Sequence, residues 1–319
     1  MRRHAFLAGA GAACAGLGAS RAEAQQLIHL VIGTAPIDAG MTPIIAQKMG
    51  IFRRNGLDVD VQIFNSGAAS TAAVAGGALN AGGTSVMGLI TAHVNGAPFQ
   101  IVAPTSVYAT EKPSELLVVR KDSPIHTGAD LNGKTFASPA LRDLFSITTF
   151  AWVDQNGGDS KTLRAIELPP AATPAAIDTG RIDAAVLTEP LLSQTINAGI
   201  TRVLGKPYDA IGPRFMIACE FSTADFINAN RDAIQRFARS ILQANAFGNA
   251  HPDQTAPWLA ELTKVDVATI NHGHRELFDE TLVVANLQRV IDAAARYKAI
   301  DHAFDAHDLI SPAVLGIKA

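Results

Sequence analysis

The sequence predicts an α/β protein, and three observations carry that prediction. Short apolar runs end in small polar residues and open directly into helices at five places: Thr34 to Thr42, Ser66 to Ser70, Thr84-Ser85, Ser138-Pro139 and Thr188 to Pro190. Gly and Pro punctuate the joins between these segments, as at Asn55-Gly56, Asn156-Gly157-Gly158 and Pro169-Pro170. At 319 residues the chain can bury a sizeable core and is long enough for two domains. Strand ends of a parallel sheet fall on one side, so the helix N-termini converge there with free N–H groups and positive dipole ends. That edge suits an anionic or strongly hydrogen-bonding ligand better than a catalytic centre. For about half of these Ser and Thr residues, capping the helix is expected to be the whole role.

Composition narrows the function further. A net charge of -3 with no long Lys/Arg run argues against a nucleic-acid partner. Hydrophobic residues make up 48% but are rich in Ala and broken by Gly and Pro, so no membrane span is expected outside the N-terminus. The first 24 residues read as an export signal. Arg2 and Arg3 give a charged start, Ala5 to Ala19 is apolar and small, and Ala22-Glu23-Ala24 supplies an A-x-A cleavage site before Gln25. General secretion and twin-arginine export both fit, although Phe6 stands one position late for the second. Cys14 makes a poor lipoprotein cysteine, because Gly11 stands where Leu is wanted. Cleavage would leave Cys219 alone, so the mature fold is expected to stand on its core without an internal disulfide.

In chain order, a strand at Leu27 to Ile32 leads through a turn-rich loop to a helix with Thr42 as cap and Pro43 at its first position, stopped by Asn55-Gly56. Val59 to Phe64 alternates as a second strand before the small-residue loop 65–70 and its helix. Gly76 to Gly83 leads to Thr84-Ser85 and a helix at Val86 to Val94, followed by a strand at Gln100 to Pro104. Leu116 to Val119 and Lys134 to Ala137 read as strands around the turn-rich segment that ends at Gly133. Ser138 is then expected to cap a helix with Pro139 at its first position, running to Gln155. A strand at Arg164 to Leu168, a helix at Ala171 to Thr179 and an apolar run ending at Leu187 follow, and the remainder is helical at Asn230 to Phe247, Asp253 to Leu262 and Phe278 to Tyr297.

Three stretches have a more specific spelling: IIAQKMGIFRRNGLDVDV from Ile44, VVRKDSPIHTGADLNGKTFASP from Val118, and GRIDAAVLTEP from Gly180. Together they closely resemble the solute-binding proteins of ABC importers, within the branch that binds nitrate, sulfonates, taurine and thiamine-pyrimidine precursors. The similarity runs from about Leu27 to about Ile300. It implies a two-lobed periplasmic-binding-protein type II fold, with two crossing strands as a hinge and the C-terminal helices packed on the first lobe. The crossings would fall at Thr105 to Lys112 and at Phe215 to Glu220. The implied first lobe is discontinuous, residues 25–107 and 218–319, and the second is 108–217, after a signal peptide of residues 1–24. The implied role is capture of a small solute in the inter-lobe cleft by a periplasmic monomer, with delivery to the membrane subunits of an ABC permease and no cofactor.

For the site, the loops that would line the cleft hold Ala35, Pro36, Asp38, Ser66, Gly67, Ala68, Thr84, Ser85, Tyr108, Ser138, Arg142 and Glu189. Helix N-termini around Ser66 to Ala68, Thr84-Ser85 and Ser138, assisted by Arg142, favour an acidic solute such as a sulfonate or carboxylate. Asp38 and Glu189 argue for an amine or hydroxyl instead. Arg142, Asp38 and Glu189 are equally at home in plain ion pairs. Two other readings stand beside this one. A sensor relative coupled to a membrane receptor differs only in partner. An enzyme like the eukaryotic pyrimidine-precursor branch would need pyridoxal phosphate, a Schiff-base Lys with a His, and a cysteine-rich loop, whereas this chain has two cysteines. Neither His272-Gly273-His274 nor the group Asp301, His302, Asp305, His307 and Asp308 has a structural-zinc spacing, so both are expected on solvated faces and no metal is assigned.

Overall fold

The computed structural model describes residues 26–319, so the expected export signal and Cys14 lie outside the described residues. The chain runs β1 (Ile28–Thr34), α1 (Met41–Lys48), α2 (Ile51–Arg54), β2 (Leu57–Ile63), α3 (Gly67–Ala75), β3 (Ala81–Ser85), α4 (Val86–Val94) and β4 (Phe99–Pro104). It leaves this first lobe by β5 (Ser106–Ala109) and builds β6 (Leu116–Arg120), β7 (Thr135–Ser138), α5 (Leu144–Gln155), β8 (Arg164–Glu167), α6 (Thr173–Asp178), β9 (Ala184–Leu187), α7 (Leu191–Asn197) and β10 (Thr201–Gly205). It returns by β11 (Arg214–Met216) and continues through β12 (Ala218–Thr223), α8 (Ala224–Ala229), α9 (Arg231–Ala250), α10 (Pro252–Thr263), α11 (Val267–His272), β13 (Leu277–Phe278) and α12 (Val284–Arg296).

The strands form two five-stranded sheets of the same plan. The first has the order β2-β1-β3-β12-β4, with β12 antiparallel to both of its neighbours. The second has the order β10-β6-β9-β7-β8, with β6 antiparallel to both of its neighbours. In each lobe the antiparallel strand is the one that the chain enters from a crossing. The two crossings and β13 of the C-terminal segment form a third sheet, β11-β5-β13, with β5 in the middle. The short apolar strands follow from burial on both faces. Leu117 and Val119 pack with Phe136 and Val153 on one face of the second sheet, while Val118, between them in sequence, packs with Ala137, Leu168 and Ile177 on the other.

Several element expectations change. The first helix is capped at Gly40, which puts Thr42 and Pro43 at its second and third positions. A missing N–H is still harmless there, because the first turn's donors have no partner within the helix. Gly50, in the left-handed region at φ 66°, then separates α1 from α2. Ser138 ends β7 instead of capping a helix. Residues 139–143 form a turn, and α5 starts after Asp143, whose side chain accepts from the Ser146 N–H. The return crossing is shorter than expected, because 218–223 is committed to the first sheet. The last long helix starts at Val284 rather than Phe278, since Leu277 and Phe278 pair with β5. β10 was not expected, and its partner β6 explains it as the edge strand of the second sheet.

The hinge is held by aromatic packing and by one buried acid. Tyr108, Tyr208 and Phe215 stand with ring centroids 5.1–5.4 Å apart, a spacing at which aromatic pairs add stability beyond their buried area. Buried Asp279 accepts from Arg214 Nη2 at 2.9 Å and from Asn286 Nδ2 at 3.3 Å, and its N–H donates to Thr105 O at 2.8 Å. Buried Asn245 donates to both Pro104 O and Asp279 O, at 2.9 and 2.6 Å. Asp279→Ala should therefore lower unfolding stability by about 2–3 kcal/mol, the lower end for a broken ion pair because Arg214 keeps contact with solvent. Urea denaturation measures this, and a loss below about 1 kcal/mol would show that the network does not hold the crossings.

Candidate functional site

Two cavities meet at the loop after β1. The first, about 430 Å³, lies between the lobes. The first lobe contributes Pro36 to Ala39, and the second contributes Ser114, Glu115, Phe145, Thr188 to Pro190 and Tyr208. The C-terminal segment closes it with Leu259, Val265, Ile270 and Gly273 to Glu276. The second cavity, about 450 Å³, lies within the first lobe and is lined by Thr34, Ala35, Gly67, Ala68, Thr71, Gly83, Thr84, Ser85, Gly88 and Glu220 among others. Ile37, Ala39 and Ile217 border both. Each volume is in the range that holds a small organic ligand.

The inter-lobe cavity is apolar with a carboxyl-rich floor. Asp38 is held by Arg275 in a two-point pair, Nε to Oδ2 at 2.8 Å and Nη2 to Oδ1 at 2.9 Å, and the Glu276 N–H donates to the same carboxylate at 2.9 Å. These bonds neutralise Arg275. Glu115, 3% exposed, accepts from Ser114 Oγ at 2.7 Å, and burial pushes its carboxyl up to about 8 with the nearby Glu276 charge adding to it. Glu276 accepts from Ser106 Oγ, and burial, then the charge of Asp38, pushes it up to about 7. The two carboxyls thus hold protons near neutral pH because neither has a cation to itself. Burial raises the Tyr208 hydroxyl well above its usual range, with Glu115 adding to it. Glu189 is satisfied within its own lobe, accepting from Ser193 N at 3.2 Å and Ser193 Oγ at 2.8 Å.

The first-lobe cavity is built of small residues and helix starts. Ser66 Oγ accepts from Ala69 N at 3.2 Å and caps α3, and Ser85 Oγ accepts from Gly88 N at 3.1 Å and caps α4. The Ser70 N–H donates to Ser66 O, so the first-turn donors of α3 still free are those of Gly67 and Ala68, both on the cavity wall. Glu220 reaches the same cavity from β12. It is 1% exposed, its Oε2 has no hydrogen-bond partner among the described residues, and burial pushes its carboxyl up to about 8.

Of the residues expected to line the site, Pro36, Asp38 and Glu189 border the inter-lobe cavity, and Ala35, Gly67, Ala68, Thr84 and Ser85 border the first-lobe cavity. Four stand on neither wall. Ser66 acts as a helix cap. Tyr108 is buried in the hinge and donates to Asp209 Oδ1 at 2.8 Å, leaving no hydroxyl for a ligand. Ser138 is buried and donates to Asp143. Arg142 lies on the exposed turn before α5. Glu115, Tyr208, Glu220, Arg275 and Glu276 were missed. No local signal marks the last three, whose meaning depends on contacts far along the chain, but Glu115 opens the LLVVR strand and could have been read as a cleft-edge acid.

A family model described as NMT1/THI5 like matches residues 40–255. A Brucella abortus (strain 2308) protein, provisionally named a binding protein, is 25% identical over 228 residues, which span 71% of this chain and 68% of that one. The periplasmic aliphatic sulphonate-binding protein SsuA from Escherichia coli superposes with a TM-score of 0.72 at 21% identity, covering 89% of this chain and 97% of its own. The periplasmic nitrate-binding protein NrtA from Synechocystis PCC 6803 superposes with a TM-score of 0.70 at 16% identity, covering 90% and 87%. At such identities the likeness shows the fold: two lobes of the periplasmic-binding-protein type II class.

The raised carboxyls make stability depend on pH. Glu115 and Glu276 bind protons more tightly folded than at their ordinary value of 4.5. Their contribution is therefore full below about pH 4.5 and is lost as pH rises through about 7 to 8. The urea midpoint should fall between pH 5 and pH 8.5, and Glu115→Gln should reduce that fall by removing one proton-binding group and the like charge beside Glu276. A midpoint that rises across this interval would contradict the assignment.

Proposed function

The chain belongs to the NMT1/THI5-like family, and from that premise we propose that it is the solute-binding component of an ABC import system. It captures a small organic solute between its lobes and delivers it to the membrane permease without altering it. The observation that carries this reading is the cavity of about 430 Å³ walled by both lobes and by the C-terminal segment, since a ligand there touches every part that must move together. In this reading residues 108–217 form the second lobe, the mature protein is a periplasmic monomer exported by the N-terminal signal, and the binding cycle needs no cofactor.

The proposed solute is acidic at one end. The carboxylate or sulfonate sits in the first-lobe cavity against the Gly67 and Ala68 N–H groups, where the start of α3 favours negative charge by about 0.3–1 kcal/mol, more when partly buried. The rest of the solute extends past Ile37 into the inter-lobe cavity, where Glu115, Glu276 and Glu189 offer acceptors to its N–H or O–H groups. Arg142, outside both walls, contributes only if closure brings its turn onto the ligand.

A thermal-shift screen of the mature protein against sulfonates, carboxylates, nitrate, amino acids and pyrimidines tests this, with small-angle scattering on each hit. A true ligand at 100 times its Kd should add roughly 2.7 kcal/mol of stability and reduce the radius of gyration. Ala68→Pro removes one free N–H at a helix position that tolerates proline, and should weaken an anionic ligand about fivefold or more without unfolding the protein. Turnover of any bound solute would favour the enzyme reading, and stabilisation only by neutral or cationic compounds would refute the acidic end.

A further inference from the structure

A carboxyl group with no partner is unusual at the centre of a sheet. Glu220 lies on β12 opposite Gly83 of β3, where a Cβ at position 83 would stand 3.3 Å from its Oε1. The missing side chain at Gly83 gives the carboxyl its slot. The group is almost wholly buried, its Oε2 is unpartnered among the described residues, and it borders the cavity that receives the free N–H groups of Gly67 and Ala68. Among the described residues no Lys, Arg or His stands on that wall.

We propose that the protonated Glu220 carboxyl is the O–H donor that completes an oxyanion site with the Gly67 and Ala68 N–H groups, so that this cavity selects the carboxylate or sulfonate end of a solute and rejects an amine. The proposal rests on the acidic-ligand reading and adds the group that enforces it. The alternative is an ionised Glu220 pairing with a cation. That would place the cation at the positive end of α3, where the helix opposes it. A neutral carboxyl instead leaves a donor in need of an acceptor, and an oxyanion supplies one by a short charge-assisted bond. Burial keeps Glu220 protonated up to about pH 8. A bound anion holds that proton more tightly, and above this pH binding must take one up.

The titration is isolated. Glu220 pairs with Gly83 of β3 and Ala103 of β4, and the cavity it borders is otherwise walled by the 34–40 loop, the first turns of α3 and α4, Thr105, Ile217 and Ala218. Asp38, at the turn beside this wall, is turned onto Arg275, and among the described residues no ionisable side chain other than Glu220 borders the cavity. Cys219, next on the strand, is buried and its thiol is pushed up.

Calorimetric titration of the mature protein with propane-1-sulfonate and with butyrate from pH 6 to 9.5, with propylammonium as the cationic probe, tests the proposal. Anion affinity should be level to about pH 7, then fall toward tenfold per pH unit above about pH 8. Titration at pH 9 in two buffers of different ionisation enthalpy should show uptake of up to one proton. Glu220→Gln should bind the anions more weakly than wild type at pH 6 and lose the slope, and Glu220→Ala should lose about tenfold or more at pH 6. The wild-type proton uptake decides the matter even if a variant fails to fold. Propylammonium binding that tightens above pH 8 overturns the proposal, as does a slope that survives in Glu220→Gln and so belongs to Glu115 and Glu276. Anion binding with no slope defeats this proposal alone, whereas binding of neither anion at any pH defeats it together with the acidic-ligand reading.

Discussion

The antiparallel insertion of β12 between β3 and β4 is the constraint on which the architecture depends. A strand that must lie against β3 from Ala218 to Phe221 and against β4 from Cys219 to Thr223 completes the first sheet only after the chain has gone out to the second lobe and come back. The first lobe is therefore finished by residues more than a hundred positions after its fourth strand. β6 has the same position in the second sheet, so each lobe is locked by the strand that enters it from the hinge. The consequence for the site is direct, because the loops at one edge of each sheet face each other and the crossings fix the distance between them.

Both cavities use burial to set charge, but in different surroundings. Between the lobes, Arg275 is consumed by Asp38, so Glu115 and Glu276 are left to share protons in an apolar space. In the first lobe a single carboxyl stands among small residues and helix starts. Neither place resembles a surface ion-pair network, in which opposite charges would hold each carboxyl ionised. Isolated, protonated carboxyls within reach of a cavity act as donors and acceptors to whatever enters it, which is a way to read the polarity of a ligand without a fixed positive charge.

Much of this was legible in the sequence. The α/β class and the places where helices open from small polar residues followed from patterns that depend on near neighbours, whereas the two crossings were implied only by the resemblance of three longer stretches to a known family. Ser66 and Ser85 cap helices as their spelling suggests, and Gly67, Ala68 and Thr84 border a cavity. What was hidden depends on distant partners. Asp38 looks like a free cleft acid until Arg275, 237 residues later, occupies it. Ser138-Pro139 reads as a cap, yet Asp143 offers a better-placed carboxylate and draws the Ser138 hydroxyl to itself. The helix read at Asp253 to Leu262 is expected only to pack on the first lobe, although Leu259 and residues from Thr263 to Glu276 supply one wall of the inter-lobe cavity.

The sheet that the crossings form with β13 also bears on how the molecule can move. β5 is paired along its length, to β11 on one side and to β13 on the other, so the two passages of the chain are not independent tethers. A loose pair of linkers would let the lobes slide, twist and separate in any direction. A hydrogen-bonded ribbon resists sliding and leaves one soft deformation, a change in its own twist and bend. The freedom lost when the cleft is occupied is then that of a single rocking coordinate, and little of the ligand's interaction energy has to be spent on ordering the joint.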